Sequence, residues 1–193
     1  SNNLVIGTTG SAGASRGMQF AVLNAVAMTV SSSGNIGIGT TAPTELLTVD
    51  GNIKVTGRRF DITSNTDGRN EGDIVYFGGT TSMTVGTIYH YKSDGTWEVT
   101  NANAAATCDG LLAVALGAAS DTNGMLLRGM VTLDHDPGAV GDVLYLSAAS
   151  NGDATATAPS GNADIVRVIG YCLDASNGQI WFNPDNTFVE VNA

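Results

Sequence analysis

The feature that most constrains this chain is a segment in which isoleucine and glycine alternate, Ile36-Gly37-Ile38-Gly39, preceded by a looser copy at Asn3–Thr9. Successive side chains of an extended strand point to opposite faces, so the glycines leave one face without side chains and the isoleucines line the other. Such a strand has little use in a lone soluble domain, but it lets backbones of several subunits approach closely. We therefore predict inter-subunit contacts at Leu4, Val5, Ile6, Gly7, Ile36, Gly37, Ile38 and Gly39.

The charge distribution supports the same interpretation. Between Ser1 and Thr44 the only charged side chain is Arg16, although the chain carries 18 acidic and 8 basic residues. An uncharged, β-prone segment of this length would template aggregation if it were exposed. We expect it to be buried against another copy of the protein, with the terminal segment up to about Val30 adding a strand to a neighbouring subunit's sheet.

Composition excludes some functions. The net charge of −10 argues against a nucleic-acid partner, because phosphate binding needs clustered Lys and Arg, and the one basic pair is Arg58-Arg59. No apolar run is long enough to span a bilayer, so membrane insertion is not expected. Two cysteines, Cys108 and Cys172, form neither a disulfide framework nor a zinc site.

The fold class follows from short Val, Ile and Thr runs that Gly, Asn and Asp turns separate. We expect strands near Gln19–Leu23 and Ala27–Val30, with a helix over this region as the alternative. Asp50-Gly51 lies between two alternating runs, a strong hairpin signal that pairs Glu45–Val49 with Ile53–Thr56.

The second part of the chain repeats itself. Val85–Leu116 and Val140–Leu173 share a Val-Gly start, a hairpin turn and an apolar run, which predicts a hairpin plus two further strands in each copy. The chain is therefore predicted to be all-β: an extended assembly segment over residues 1–63, then a β-sandwich or barrel over residues 64–193, with repeats at 85–132 and 140–189.

Residues 27–53, with Ser33-Gly34-Asn35-Ile36-Gly37-Ile38-Gly39-Thr40-Thr41-Ala42-Pro43 at their centre, closely resemble a motif recurrent in bacteriophage tail fibres and related surface appendages. The region from Gly72 to Val191 looks like the terminal β domain of such fibres. The resemblance implies a homo-oligomeric β fibre, often trimeric, with a structural or receptor-contacting role.

Groups that could carry chemistry are sparse. Asp134-His135-Asp136 places an imidazole between two carboxylates, but consecutive strand residues face opposite ways, and a solvated turn is favoured over a metal or catalytic site. Acidic loops around Asp67 and Asp185 lack the ordered spacing of a calcium loop. No catalytic residue, cofactor site or metal ligand is therefore assigned.

Aromatic residues cluster at Tyr89, Tyr91 and Trp97 and again at Tyr171, Trp181 and Phe182. An exposed set could stack on sugar rings, although filling the core is the favoured role.

The sequence favours a non-enzymatic structural subunit of an extracellular or virion fibre or filament, whose partner is itself, as a homotrimer or a helical polymer. The alternative is a receptor- or glycan-binding module at a fibre tip, with a cell-surface glycan as partner.

Overall fold

The computed structural model describes the backbone of residues 5–9 and all atoms of residues 17–23, 25–62 and 64–192. The chain divides into two compact units, the first ending at Arg58 and the second beginning at Arg59. The boundary that the sequence suggests, after residue 63, lies a few residues further along.

The first unit is a sheet whose strands follow one another in chain order. Neighbouring strands are antiparallel except for the last pair, which is parallel. The strands are β1 (Val5–Thr9), β2 (Gly17–Val22), β3 (Ala25–Val30), β4 (Ile36–Ile38) and β5 (Leu47–Val49). Strands β2 and β3 confirm the strand prediction for this region.

The hairpin predicted at Asp50-Gly51 is wrong. The described chain bends at Asp50 and Gly51 but forms no strand over Ile53–Thr56. Strand β5 pairs instead in parallel with β4, with Leu47 opposite Ile36 and Val49 opposite Ile38. A turn signal marks where a chain bends, whereas the pairing partner depends on which strand edge lies within reach.

The second unit is also almost entirely β, which confirms the predicted fold class, and its main sheet curls into a half-barrel. Two short helical turns interrupt the described strands, a 3₁₀ turn at Ala105–Thr107 and α1 at Ser120–Asn123. The strands are β6 (Asn70–Val75), β7 (Ile88–Tyr91), β8 (Trp97–Val99), β9 (Leu112–Ala115), β10 (Met125–Thr132), β11 (Val143–Leu146), β12 (Ala154–Thr155), β13 (Ile165–Val166), β14 (Val168–Asp174), β15 (Gln179–Phe182) and β16 (Val189–Glu190).

The two repeats have the same strand order. In the first, β7 pairs with both β8 and β9, and β9 pairs with β10. In the second, β11 pairs with both β12 and β14, and β14 pairs with β15. Equivalent backbone bonds recur as well, since Gly86 N–H donates to Ala115 O and Gly141 N–H donates to Cys172 O, each at 2.9 Å. Pairing of β10 with β15 joins the two sets.

Alternation along the strands buries both faces of this sheet. On β7, Ile88 belongs to the main core, whereas its neighbour Tyr89 belongs to a smaller second core. On β9, Leu112 and Val114 face the main core, and Ala113 faces the second. The period of two residues therefore supplies two apolar layers from one strand set.

A buried arginine ties three segments of the second unit together. Arg167, 1% exposed, lies between β13 and β14. Its guanidinium donates to the carbonyl oxygens of Cys108 at 2.6 Å, Asp185 at 2.7 Å and Gly110 at 2.8 Å. Burial lowers the pKa of Arg167 from its ordinary value. Within the described residues no carboxylate lies within 4.0 Å of the guanidinium, so backbone dipoles solvate the charge.

Candidate assembly surface

The described part of the first unit contains no apolar core of its own. Among its residues only Thr29 and Gly37 are buried, and neither is a large apolar side chain. Every member of the two buried apolar clusters belongs to the second unit. A sheet with one layer has nothing to cover its faces, which is why domains are built from at least two packed layers.

Large apolar side chains of this unit are instead exposed, with accessible fractions from 38% to 79%. They come from three of its strands, from the turn after β2, from the bend before β5 and from the chain that follows β5. They are Met18, Val22, Leu23, Ile38, Leu46, Leu47, Ile53 and Val55. We call these eight residues the apolar surface.

The predicted contact residues of the second glycine segment lie on β4 and just after it. Ile36 is half-buried, and Ile38 is 40% exposed and belongs to the apolar surface. A Cβ at Gly37 would lie 2.6 Å from the carbonyl oxygen of Thr40. Gly39 has φ +74°, and a Cβ there would lie 2.9 Å from Asp50 O. Close packing within the chain accounts for both glycines, and their role at a subunit contact stays a prediction.

The first glycine segment is described in part. Val5, Ile6 and Gly7 belong to β1, whereas Leu4 lies outside the described residues. Strand β1 pairs with β2 of its own chain, with Ile6 opposite Phe20. It is an outermost strand of its sheet. A neighbouring subunit could therefore add a strand at the outer edge of β1, and strand addition there stays a prediction.

Sequence reasoning missed half of the apolar surface. The sequence predicts that Leu46, Leu47, Ile53 and Val55 lie in the two strands of a hairpin. Side chains that alternate along such strands would bury one face of the hairpin. Leu46 and Leu47 are 79% and 58% exposed, and β5 is the outermost strand on that side. The consecutive leucines were the available signal, since two neighbours on a strand cannot both face one core.

The aromatic residues divide between core and surface. Trp97, 3% exposed, stacks on Phe77 with ring centroids 5.6 Å apart and donates from Nε1 to the Phe77 carbonyl. Phe182 is fully buried, whereas Tyr171 is 48% exposed and pairs across the strands with Trp181. The first predicted cluster is therefore mainly core, and the second leaves Tyr171 on the surface.

The acidic loops considered for calcium form local turns. Asp67 lies in a turn that the backbone hydrogen bond from Arg69 N–H to Thr66 O closes, and Asp185 accepts a hydrogen bond from the backbone of Thr187. Among the described residues, three metal-ligating side chains converge at Asp134, His135 and Asp153. The structure therefore brings Asp153, instead of Asp136, together with Asp134 and His135.

No protein-family model matches this chain, and a search of curated proteins gives no match either. In the described ranges no helix has the length and apolar character needed to cross a bilayer.

Proposed function

We propose that this protein is a non-enzymatic structural subunit of a self-assembling fibre or filament, located outside the cell or on a virion surface. Inter-subunit contacts of the first unit hold the assembly together. The observation that carries the proposal is the apolar surface: eight large exposed side chains on a unit with no apolar core in its described part.

The size of this surface favours association with more than one neighbour. Fully burying a large apolar side chain contributes about 1.5–3 kcal/mol, so covering the exposed parts of eight contributes on the order of 10 kcal/mol per subunit. Association costs about 4–15 kcal/mol in lost freedom and ordering. A subunit that packs against two neighbours, as in a homotrimer or a helical polymer, gains most from the same surface.

A second copy of the chain is the partner that the composition favours. Four of the eight surface residues lie in a segment whose only charged residue before Glu45 is Arg16, whereas Glu45, Asp50 and Lys54 accompany the other four. Two copies of a surface with so few charges leave fewer charges unpaired when they bury each other than a strongly charged partner would leave. The resemblance of residues 27–53 to fibre proteins supports the same assignment.

A charge placed on the apolar surface tests the proposal. We expect Ile38→Lys and Leu47→Lys each to yield dissociated subunits, because a buried ammonium without a partner is strongly unfavourable. Val140→Lys is the matched control, since Val140 is 69% exposed but belongs to the second unit. Analytical ultracentrifugation gives the mass of each species, and negative-stain electron microscopy separates a trimeric fibre from a helical filament.

Assembly by both lysine variants at the wild-type concentration would contradict the proposal, as would a wild-type protein that stays monomeric. Fluorescence of Trp97 and Trp181, which both lie in the second unit, reports whether the second unit of each variant remains folded.

One observation favours receptor or glycan binding as a second candidate function. A groove beside β14 is lined by Val168, Tyr171, Asn183, Pro184, Asp185 and Asn186. Tyr171 offers an exposed ring face, and the amide and carboxylate groups offer hydrogen bonds to hydroxyls. An aromatic platform with a few polar groups is the usual chemistry of a small-ligand site.

A further inference from the structure

Two carboxylates converge on one nitrogen of His135. Asp134 Oδ1 lies 2.9 Å from His135 Nδ1, and Asp153 Oδ1 lies 3.6 Å from the same atom. One ligand atom from each of the three residues falls within 4.8 Å of the others. Because Asp134 and His135 follow β10 while Asp153 immediately precedes β12, the tertiary fold brings together the two strand sets at this point.

The backbone fixes the orientation of the imidazole. Ala154 N–H donates to His135 Nε2 at 2.9 Å, and the carbonyl oxygen of Ala154 lies 3.2 Å from the same nitrogen. A ring whose Nε2 accepts a hydrogen bond presents Nδ1 to the carboxylates. Thr87 donates its hydroxyl to Asp134 Oδ2 at 3.0 Å, which orients that carboxylate in turn. Supporting bonds of this kind accompany metal ligands in proteins.

The two carboxylates carry more negative charge than the neighbouring groups compensate. The Nδ1 atom of His135 can give one proton, and Asp134 is within hydrogen-bond distance of it. Asp153 then has no hydrogen-bond donor for its carboxylate among the described residues, and no Lys or Arg side chain there lies within 4.0 Å of either carboxylate. The side chain of Asp153 is only 32% exposed, so water screens the repulsion in part.

Further acidic groups strengthen the negative potential at this place. Asp67 and Asp136 line a surface depression together with Asp134 and His135. This opening gives a small ion a path from solvent to Asp134 and His135. A chain with a net charge of −10 adds a long-range attraction for cations.

We propose that Asp134, His135 and Asp153 bind one divalent transition-metal ion of the zinc type. One imidazole and two carboxylates are a ligand set that zinc accepts. With zinc–ligand bonds of about 2.0–2.2 Å, neighbouring ligand atoms lie about 3–3.5 Å apart. The two measured nitrogen–oxygen separations, 2.9 and 3.6 Å, lie just outside the two ends of this range. When the ion binds between the two carboxylates, the ring proton moves from Nδ1 to Nε2. There the carbonyl oxygen of Ala154 at 3.2 Å accepts it, and Nε2 gives up the hydrogen bond from Ala154 N–H.

The bound ion links the two strand sets. It joins the segment after β10 to the turn between β11 and β12, which the described hydrogen bonds connect through His135 and Ala154. A ligand that binds the folded state alone stabilises it, so zinc raises the unfolding temperature of the second unit. This inference is independent of assembly through the first unit.

A pair of matched variants tests the proposal on untagged full-length protein. Isothermal titration calorimetry with zinc chloride should give one ion per chain. We expect Asp153→Asn to weaken zinc binding by at least about tenfold, since it removes a ligand. Asp136→Asn is the control, because it removes the same charge from the same acidic region without removing a proposed ligand. It should bind zinc within about threefold of wild type.

Imidazole ¹H–¹⁵N spectra of the wild-type protein give a readout that needs no variant. The chain has two histidines, and zinc should change the ring signals of His135 while leaving those of His90 in place. His90 is the informative comparison, because it is also buried and lies 3.5 Å from the carboxylates of Glu98 and Asp109. Absence of one-to-one binding, equal weakening by both variants, or a response confined to His90 would each overturn the proposal.

Discussion

Replacing Arg167 with methionine probes the buried guanidinium directly. Methionine keeps an unbranched apolar stem of similar length but cannot donate a hydrogen bond. The carbonyl oxygens of Cys108, Gly110 and Asp185 would each lose their donor. We expect the second unit to unfold at a lower urea concentration in this variant than in any conservative surface variant.

The magnitude follows from the burial of the three hydrogen bonds. The bond to Cys108 is buried, whereas those to Gly110 and Asp185 are only partly buried. A buried polar group without a partner costs about 1–3 kcal/mol, and water can replace the donor at the two partly buried carbonyls at a cost of about 0.5–1 kcal/mol each. We therefore expect Arg167→Met to lower the free energy of unfolding by about 4 kcal/mol.

Urea titration followed by tryptophan fluorescence measures this loss, because Trp97 and Trp181 are the only tryptophans and both lie in the second unit. The matched control is Arg128→Met on β10, where the side chain is exposed and the change should stay within about 0.5 kcal/mol. Arg167→Lys should fall between the two, since an ammonium lacks the planar fork that reaches three acceptors. A loss below about 1 kcal/mol for Arg167→Met would refute this account of the buried cation.

Two further predictions concern an exposed tyrosine and the two buried cysteine thiols. If the groove beside β14 binds glycans, Tyr171→Ala should abolish binding signals on a glycan array. Tyr76→Ala is the control and should leave them unchanged, since Tyr76 is 59% exposed but does not line that groove. Equal retention of the signals by both variants would contradict the second candidate function. Burial raises the pKa of Cys108 to about 11 and also raises the pKa of Cys172. Iodoacetamide at pH 8 should therefore alkylate both thiols far more slowly in the folded protein than in urea, and equal rates in the two states would contradict the burial of these side chains.

Local patterns in the sequence were enough to predict the fold class and the presence of two similar strand sets. Runs of Val, Ile and Thr bounded by Gly, Asn and Asp specify extended segments and the turns between them. The β7–β8 hairpin is an example, because Asp94-Gly95 lies between its strands and the backbone bond from Lys92 to Thr96 closes the turn. Both signals depend on neighbours in the chain, so the sequence shows them directly.

Such local patterns did not predict which distant strands pair with each other. Strand β5 joins β4 in parallel, although the Asp50-Gly51 signal favoured a hairpin. Parallel pairing needs a connection that carries the chain back past its partner. The eight residues between β4, which ends at Ile38, and β5, which begins at Leu47, offer no periodic signal for that path.

The amino-acid sequence by itself determined that the chain is β, that its first 44 residues carry a single charge and that its second part is duplicated. Only the tertiary structure decided which side chains meet. It placed Asp153 beside His135 across 18 residues, and it buried Arg167 against carbonyls as far away as Cys108. Such encounters depend on how two strand sets close on each other, and closure follows from the summed packing of the whole core, which no local pattern encodes.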